Sequence, residues 1–167
     1  MKNTLVNVKS HGFKHSNTHN AVASLKVVVF GIGNLNFALH IKTVYKVLNQ
    51  TPVYSSGLNN VGIAHVGDRE VIVVDLHRWL FQSSITNEQS KAGYLIIAQN
   101  TQGELYGIPV VGVPALREIP LSSIRVLPES YRNADILGIA SHVAVIPQVE
   151  VPLTIFLLDV EQLLVKL

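Results

Sequence analysis

The chain has 167 residues, 48% of them apolar and 14% charged, and its 13 Lys and Arg against 11 Asp and Glu leave a net charge of +2. That length suits one compact domain or two small barrels sharing an interface, and the charge is too slight to point to nucleic acid or an anionic membrane as a default partner. With no cysteine, disulfide staples, thiol nucleophiles, iron–sulfur clusters and Cys-rich zinc modules are excluded.

Residues 1–20 are rich in Asn, Ser, Thr, Lys and His with little apolar periodicity. They predict a mobile tail, with the folded part starting near Ala21. Met1 to Phe13 holds neither an apolar core nor a small-residue cleavage site, so no signal peptide is expected. His11, His15 and His19 would line up three imidazoles on a helix. Gly12, Ser16, Asn17, Thr18 and Asn20 between them disfavour a helix, so no metal site is expected there.

From Leu25 to Phe30 the chain reads as a β-branched strand, Gly31 to Asn36 as a turn, and Phe37-Ala38-Leu39 as the returning strand of a hairpin. Gly31-Ile32-Gly33 begins like a dinucleotide loop, but Asn36 stands where the third glycine belongs and no long helix follows. Ile41, Val44, Val47 and Leu48 then recur at helical spacing, with Lys42 and Lys46 on the other side, which predicts a short amphipathic helix. Gln50 to Asn60 has loop composition, Val61 to Val66 reads as a strand, and Gly67-Asp68 marks a hairpin turn. Val71 to Val74 is apolar on both faces, as in a strand enclosed by a barrel or sandwich. Asp75 stands at the N-cap of a short helix through Trp79. The polar run Gln82 to Lys91 is the expected internal boundary.

The second half repeats the order, with strands at Tyr94 to Ala98 and Leu105 to Val110 around a turn at Gln102-Gly103-Glu104. Gly62-Ile63-Ala64 returns as Gly138-Ile139-Ala140, and Val73-Val74-Asp75-Leu76 as Leu157-Leu158-Asp159-Val160, each pair roughly 80 residues apart. Two related barrels are therefore expected, one over about 21–85 and one over about 92–167. The most apolar stretch, Val143 to Val160, is broken by Pro147, Gln148, Glu150, Pro152 and Asp159, so no membrane insertion is expected.

Chemistry-bearing arrangements are sparse. Asp75 and Asp159 could be imagined as a catalytic carboxylate pair, yet each opens a short helical segment and is better read as an N-cap. No Gly-x-Ser-x-Gly, His-Glu-x-x-His or Gly-x-x-x-x-Gly-Lys pattern occurs. No enzyme, cofactor or catalytic residue is expected. His77 and His142 read as structural, whereas His65 is a candidate for a partner-facing role.

The order of segments resembles the CheW-like family of bacterial chemotaxis, from about Leu25 to Leu164. Val29-Phe30-Gly31-Ile32-Gly33 with Phe37-Ala38-Leu39 looks like that family's first hairpin, and Ile41 to Leu48 and Thr51-Pro52-Val53 like its next segments. Gly62-Ile63-Ala64-His65-Val66 followed by Val71 to Leu76 resembles its Gly-Val-x-Asn-Leu-Arg-Gly hairpin ending in Asp-Leu. Gly107-Ile108-Pro109-Val110, Ile124-Arg125-Val126-Leu127-Pro128 and Leu157-Leu158-Asp159 continue the match. The departures are specific. His65-Val66-Gly67-Asp68 stands for the family's Asn-Leu-Arg-Gly, with Arg69 two residues after the missing arginine. Lys46 stands for an acid, and Val111 for an Asp.

The resemblance implies a mainly β fold of two SH3-like five-stranded β-barrels packed together with short helices. It implies a non-catalytic cytoplasmic adaptor between a methyl-accepting chemoreceptor's hairpin tip and the CheW-like regulatory domain of a CheA-type histidine kinase, in chemotaxis, phototaxis or pilus motility. Val44, Tyr45, Lys46 and Val47, with His65, Gly67, Asp68 and Arg69, are the expected partner-binding residues. Two other functions compete. One is an uncoupled array component that blocks coupling because the arginine is missing. The other is a small barrel for single-stranded nucleic acid, for which the near-neutral charge and 7% aromatics make a poor platform.

Overall fold

A computed structural model of the protein describes residues 22–49, 51–58, 60–83, 93–132 and 138–165. The expected tail at 1–20, its three histidines and most of the polar boundary segment lie outside the described residues.

Runs of apolar residues, Val27 to Phe30 and Phe37 to Leu39, build the first hairpin. β1 (Ser24–Ile32) and β2 (Leu35–His40) run antiparallel with Phe30 opposite Phe37. Gly33 takes the positive φ of 58° that a two-residue hairpin turn needs, and a Cβ there would lie 2.6 Å from the Phe81 ring. A 3₁₀ turn (Ile41–Thr43) follows, in which His40 Nδ1 accepts from the Lys42 N–H at 3.0 Å and Thr43 Oγ1 donates to the His40 carbonyl at 2.8 Å. Next come β3 (Val44–Asn49), β4 (Tyr54–Ser55), β5 (Val61–Val66) and β6 (Arg69–Val74), then helix α1 (Leu76–Phe81). The second half brings β7 (Tyr94–Gln99), β8 (Leu105–Val110), β9 (Ala115–Pro120), a 3₁₀ turn (Leu121–Ser123), β10 (Ile124–Val126) and α2 (Glu129–Arg132). It ends with β11 (Ala140–Ile146), β12 (Leu153–Leu158) and α3 (Val160–Val165).

These strands form two sheets of identical plan, β3-β7-β8-β6-β5-β4 and β9-β1-β2-β12-β11-β10. In each, two antiparallel hairpins meet along one parallel pair. Val73 lies beside Gly107 in the first sheet, and Phe156 beside Phe37 in the second. The outermost strands of each sheet, β3 and β4 or β9 and β10, are consecutive in the chain and joined by a few residues. A short link between the two ends requires each sheet to curl toward closure.

The mainly β architecture of two packed units is the expected one, but each sheet counts six strands rather than five, and while the first is built from the continuous run β3 to β8, the second joins β1 and β2 to β9 through β12. The division into barrels at about 21–85 and about 92–167 is therefore corrected. Hairpin β1–β2 belongs with β9–β12, and hairpin β7–β8 with β3–β6. The physical reason is that both hairpins are apolar on both faces and need covering twice. Val27, Val29 and Ala38 point into a small core inside the second sheet, while Phe30, Ile32, Phe37 and Leu39 point the other way. Likewise Leu95 and Ile97 fill the first sheet's own core, and Ile96, Ala98, Ile108 and Val110 face outward. The two outward faces meet as a third and larger core, to which Leu76 and Leu80 of α1 and Val160 and Leu163 of α3 add.

The amphipathic helix expected over Ile41 to Leu48 is also corrected. The segment is the 3₁₀ turn followed by β3, which carries a bulge where Tyr45 has no partner: Val44 pairs with Ala98 and Lys46 with Ile97. The extra residue reverses the facing of the strand, so Val44 packs on the core between the sheets and Leu48 on the core within the first sheet. Ile41, Val44 and Leu48 are thus half-buried at i, i+3 and i+7, and a turn plus a bulge imitates a helical stripe.

Asp75 and Asp159 do cap helices. Asp75 Oδ1 accepts from the Arg78 N–H at 2.9 Å, and Asp159 Oδ1 from the Glu161 N–H at 3.0 Å. Asp75→Ala is expected to lower the unfolding free energy by about 1 kcal/mol, read as a shift of the urea midpoint with an unchanged slope. An unchanged midpoint would show that the cap bond adds nothing in water.

A polar network ties the β7–β8 turn to α3. Asn100 Oδ1 accepts from the N–H groups of Gln102 and Glu104, and the Thr101 N–H donates to Glu161 Oε1 at 2.7 Å. Glu104 Oε2 accepts from the Tyr106 hydroxyl and from Asn100 Nδ2. These two bonds, the tyrosine's first, hold the Glu104 carboxyl below its ordinary value of 4.5, while burial and the Glu104 bond push the Tyr106 phenol up. A carboxylate with a lowered folded-state value stabilises the fold above its unfolded value, and that stabilisation is lost as pH falls through the folded one. Below pH 4.5, the denaturation midpoint of the wild type is therefore expected to fall more steeply than that of Glu104→Gln. Parallel pH profiles for the two would remove the network from the acid response.

Candidate partner-binding site

Strand β3 is an outer strand of the first sheet, hydrogen-bonded on one side to β7 alone. Its bulge exposes Tyr45 to 57%, leaves Lys46 exposed, and sets Val47, 40% exposed, opposite Ile96. Ile96 belongs to the core between the sheets, so Val47 forms the open margin of that core. Val44 faces the same core and is half-buried, which leaves only its flank for a partner. Of the four residues expected here, Tyr45, Lys46 and Val47 are consecutive exposed residues along the free edge of β3. Lys46 lies on the side of Ile97 and the first sheet's own core, and Val47 on the side of Ile96 and the core between the sheets, where Val44 lies half-buried.

The other expected residues lie on the β5–β6 hairpin. Gly67 and Asp68 are its two-residue turn, Gly67 has a φ of 61°, and His65 pairs with Glu70 and Val66 with Arg69. His65, Gly67, Asp68 and Arg69 are all exposed. In sheet order two strands, β7 and β8, separate β3 from β6, but the curl brings the outer strands together from the other side. Asn49 and Tyr54 are joined by four residues, which span at most about 18 Å. Val66 and Leu48 pack against the same small core.

Between these groups lies a row that sequence reading misses. Tyr54 pairs with Ile63, Ile63 with Ile72, and Ile72 runs beside Tyr106. Directly paired residues share a face, so the row continues outward from the core between the sheets. Tyr106 is buried, Ile72 is 45% exposed and Tyr54 58% exposed. The Tyr54 ring meets His65 edge-on at 5.9 Å. Sequence reading placed Tyr54 in a loop and enclosed Ile72 on both faces. Tyr54 being the lone aromatic in a polar segment was the available signal. The matching row in the second sheet is Arg125, Val143 and Phe156 beside Phe37. Its Phe156 is half-buried against Phe37 at 5.9 Å.

The electrostatics of the β3 face are one-signed. Lys42 and Lys46 are exposed, and neither forms an ion pair among the described residues. Residues 41–49, the neighbouring β7 and residues 51–58 contain no acid at all. The result is a surface of exposed tyrosines, a valine and two cations rather than an enclosed pocket with converging polar groups, and it suits protein docking.

The CheW-like domain family matches residues 26–167. This chain belongs to that family. The match takes in every strand but the first two residues of β1, so the CheW-like domain includes the crossed hairpins and both sheets. The crystal structure of the scaffolding protein TtCheW from Thermoanaerobacter tengcongensis is similar to this CheW-like domain, with a TM-score of 0.67 at 20% identity, over 91% of each chain. Among curated protein sequences none matches significantly. The family is one of non-catalytic chemotaxis scaffolds. Among the described residues no helix of this CheW-like domain is long and apolar enough to cross a membrane.

Proposed function

We propose that this CheW-like domain is a cytoplasmic, non-catalytic adaptor that couples a chemoreceptor-type sensor to a CheA-type histidine kinase. The observation that carries the reading is the exposed run Tyr45, Lys46 and Val47 along the free edge of an outer strand, with Val47 at the margin of the core between the sheets. A receptor's hairpin tip lies along that face, and the β5–β6 hairpin with His65, Gly67, Asp68 and Arg69 provides a second contact. The kinase's own CheW-like domain meets the end of a sheet, where β4, β5 and β6 present Tyr54, Ile63 and Ile72. Holding both partners in one geometry lets receptor conformation bias kinase activity as a coupling free energy.

The test is kinase autophosphorylation with receptor-containing membranes, with and without this protein. Coupling predicts a rise of about tenfold or more that an attractant reverses. No change sinks the adaptor reading. Suppression of coupling by a conventional family member would instead establish the competitor role that the Gly67-Asp68 replacement suggests.

A further inference from the structure

Outer strands invite a further strand, because one row of their N–H and C=O groups is unpaired. β3 carries two devices against that. The bulge at Tyr45 interrupts its pairing pattern, and Lys46 stands in the middle of its exposed stretch Tyr45–Val47, with Lys42 in the turn that precedes it. Bulges and edge lysines both block strand addition. A partner therefore meets β3 through side chains and from a surface already folded. The apolar part of the contact is Tyr45 and Val47, and the polar part is purely cationic, since no acid stands on residues 41–49, on β7 or on residues 51–58.

We infer that β3 is read by a helical partner surface that presents apolar side chains flanked by carboxylates, and that Lys46, with Lys42, selects that partner by charge. This rests on the adaptor reading above and adds the chemistry of its receptor: a tip with Asp or Glu where it meets β3. A partner lying along the free edge of β3 meets Lys46 on one side and Val47 on the other. An acid beside Lys46 is favoured there, while a receptor with Lys or Arg in its place brings like charges together and is rejected. Lys46 is a specificity residue and Tyr45 the anchor.

The test titrates the full chain against a soluble cytoplasmic hairpin fragment of the receptor used in the kinase assay. The chain is wild type, Lys46→Glu, Lys42→Glu or Tyr45→Ala, and the receptor fragments have each tip carboxylate changed in turn to Lys. Raising NaCl from about 50 to about 300 mM is expected to weaken wild-type binding about fivefold. Lys46→Glu is expected to weaken it about tenfold, Lys42→Glu less, with one receptor Glu→Lys or Asp→Lys change restoring the Lys46→Glu complex. All three substituted positions are exposed, and unchanged far-UV circular dichroism separates lost binding from lost fold.

If Tyr45→Ala weakens binding while salt and Lys46→Glu change nothing, β3 is the docking site and the acidic partner is overturned. Binding that is indifferent to all three variants moves the site elsewhere and overturns the inference, with the adaptor reading intact. A fragment that does not bind at all overturns both. A short extended acidic peptide that binds as tightly as the hairpin fragment overturns the helical part.

Discussion

Phe37→Ala is expected to lower the unfolding free energy by about 4 kcal/mol, a large share of the ~5–15 kcal/mol that holds a domain of this size. Phe37 is fully buried on β2, stacks with Phe30 at 6.4 Å and meets Phe156 at 5.9 Å. It stands where β12 joins β2 in parallel and where the two sheets share their largest core. Truncation there removes apolar burial and leaves a cavity among strands that pairing holds in place, so the site relaxes little. The companion variant is Val27→Ala, a smaller deletion inside the second sheet's own core, expected to cost less. Urea denaturation of the full chain measures both. A loss below about 1 kcal/mol for Phe37→Ala would show that the contact between sheets is not what stabilises the molecule. A loss shared equally with Val27→Ala would show that the three cores are not distinct.

Gly62→Val is expected to cost about 3 kcal/mol and to strip β4 from the sheet. A Cβ at Gly62 would lie 2.6 Å from Val53 Cγ1 and 2.9 Å from the Tyr54 carbonyl oxygen. The valine can turn aside, but the second contact is backbone. Relief therefore requires β4 to move off β5, which breaks the pairing of Tyr54 with Ile63 and the edge contact of Tyr54 with His65. Two measurements follow: a lowered urea midpoint, and amide exchange that rises at Tyr54 and Ser55 before it rises in β7. Fast exchange spread evenly over the first sheet would mean that β4 is not the yielding element. In the kinase assay, Gly62→Val is expected to reduce coupling more than Asp75→Ala does, because only the first disturbs the exposed row.

The hairpins, turns and caps were legible because their signals are local. Gly67-Asp68 and Gly33 occupy turns that favour them, and Asp75 and Asp159 offer oxygens to helix N–H groups within three residues. The repeat was legible too, since Gly62 to Leu76 and Gly138 to Val160 each form a hairpin followed by a capped helix. The candidate site was legible as a segment but not as a shape. Ile41 to Leu48 carries the spacing of a helix because a 3₁₀ turn and a bulge shift its alternation, and neither has a distinctive residue pattern. Tyr54 was hidden because a two-residue strand has no period to read. Ile72 was misread because its exposure depends on β5 and β8, strands 9 and more residues away along the chain.

By itself the sequence determined the strands of the β1–β2, β5–β6 and β7–β8 hairpins, their turns and the helix caps, all of which depend on residues within one turn or one hairpin of each other, and a doubled order and family resemblance built from such local segments. Only the tertiary structure decided which sheet each hairpin joins, that β3 is an outer strand with Tyr45 thrown outward, and that Val47 borders the core between the sheets. Apolar residues on both faces state that a hairpin must be covered twice, but burial is non-directional, and the pattern cannot say by what. Parallel pairing of β2 with β12 and of β6 with β8 settles that question across long separations in the chain, and with it the surface a partner meets.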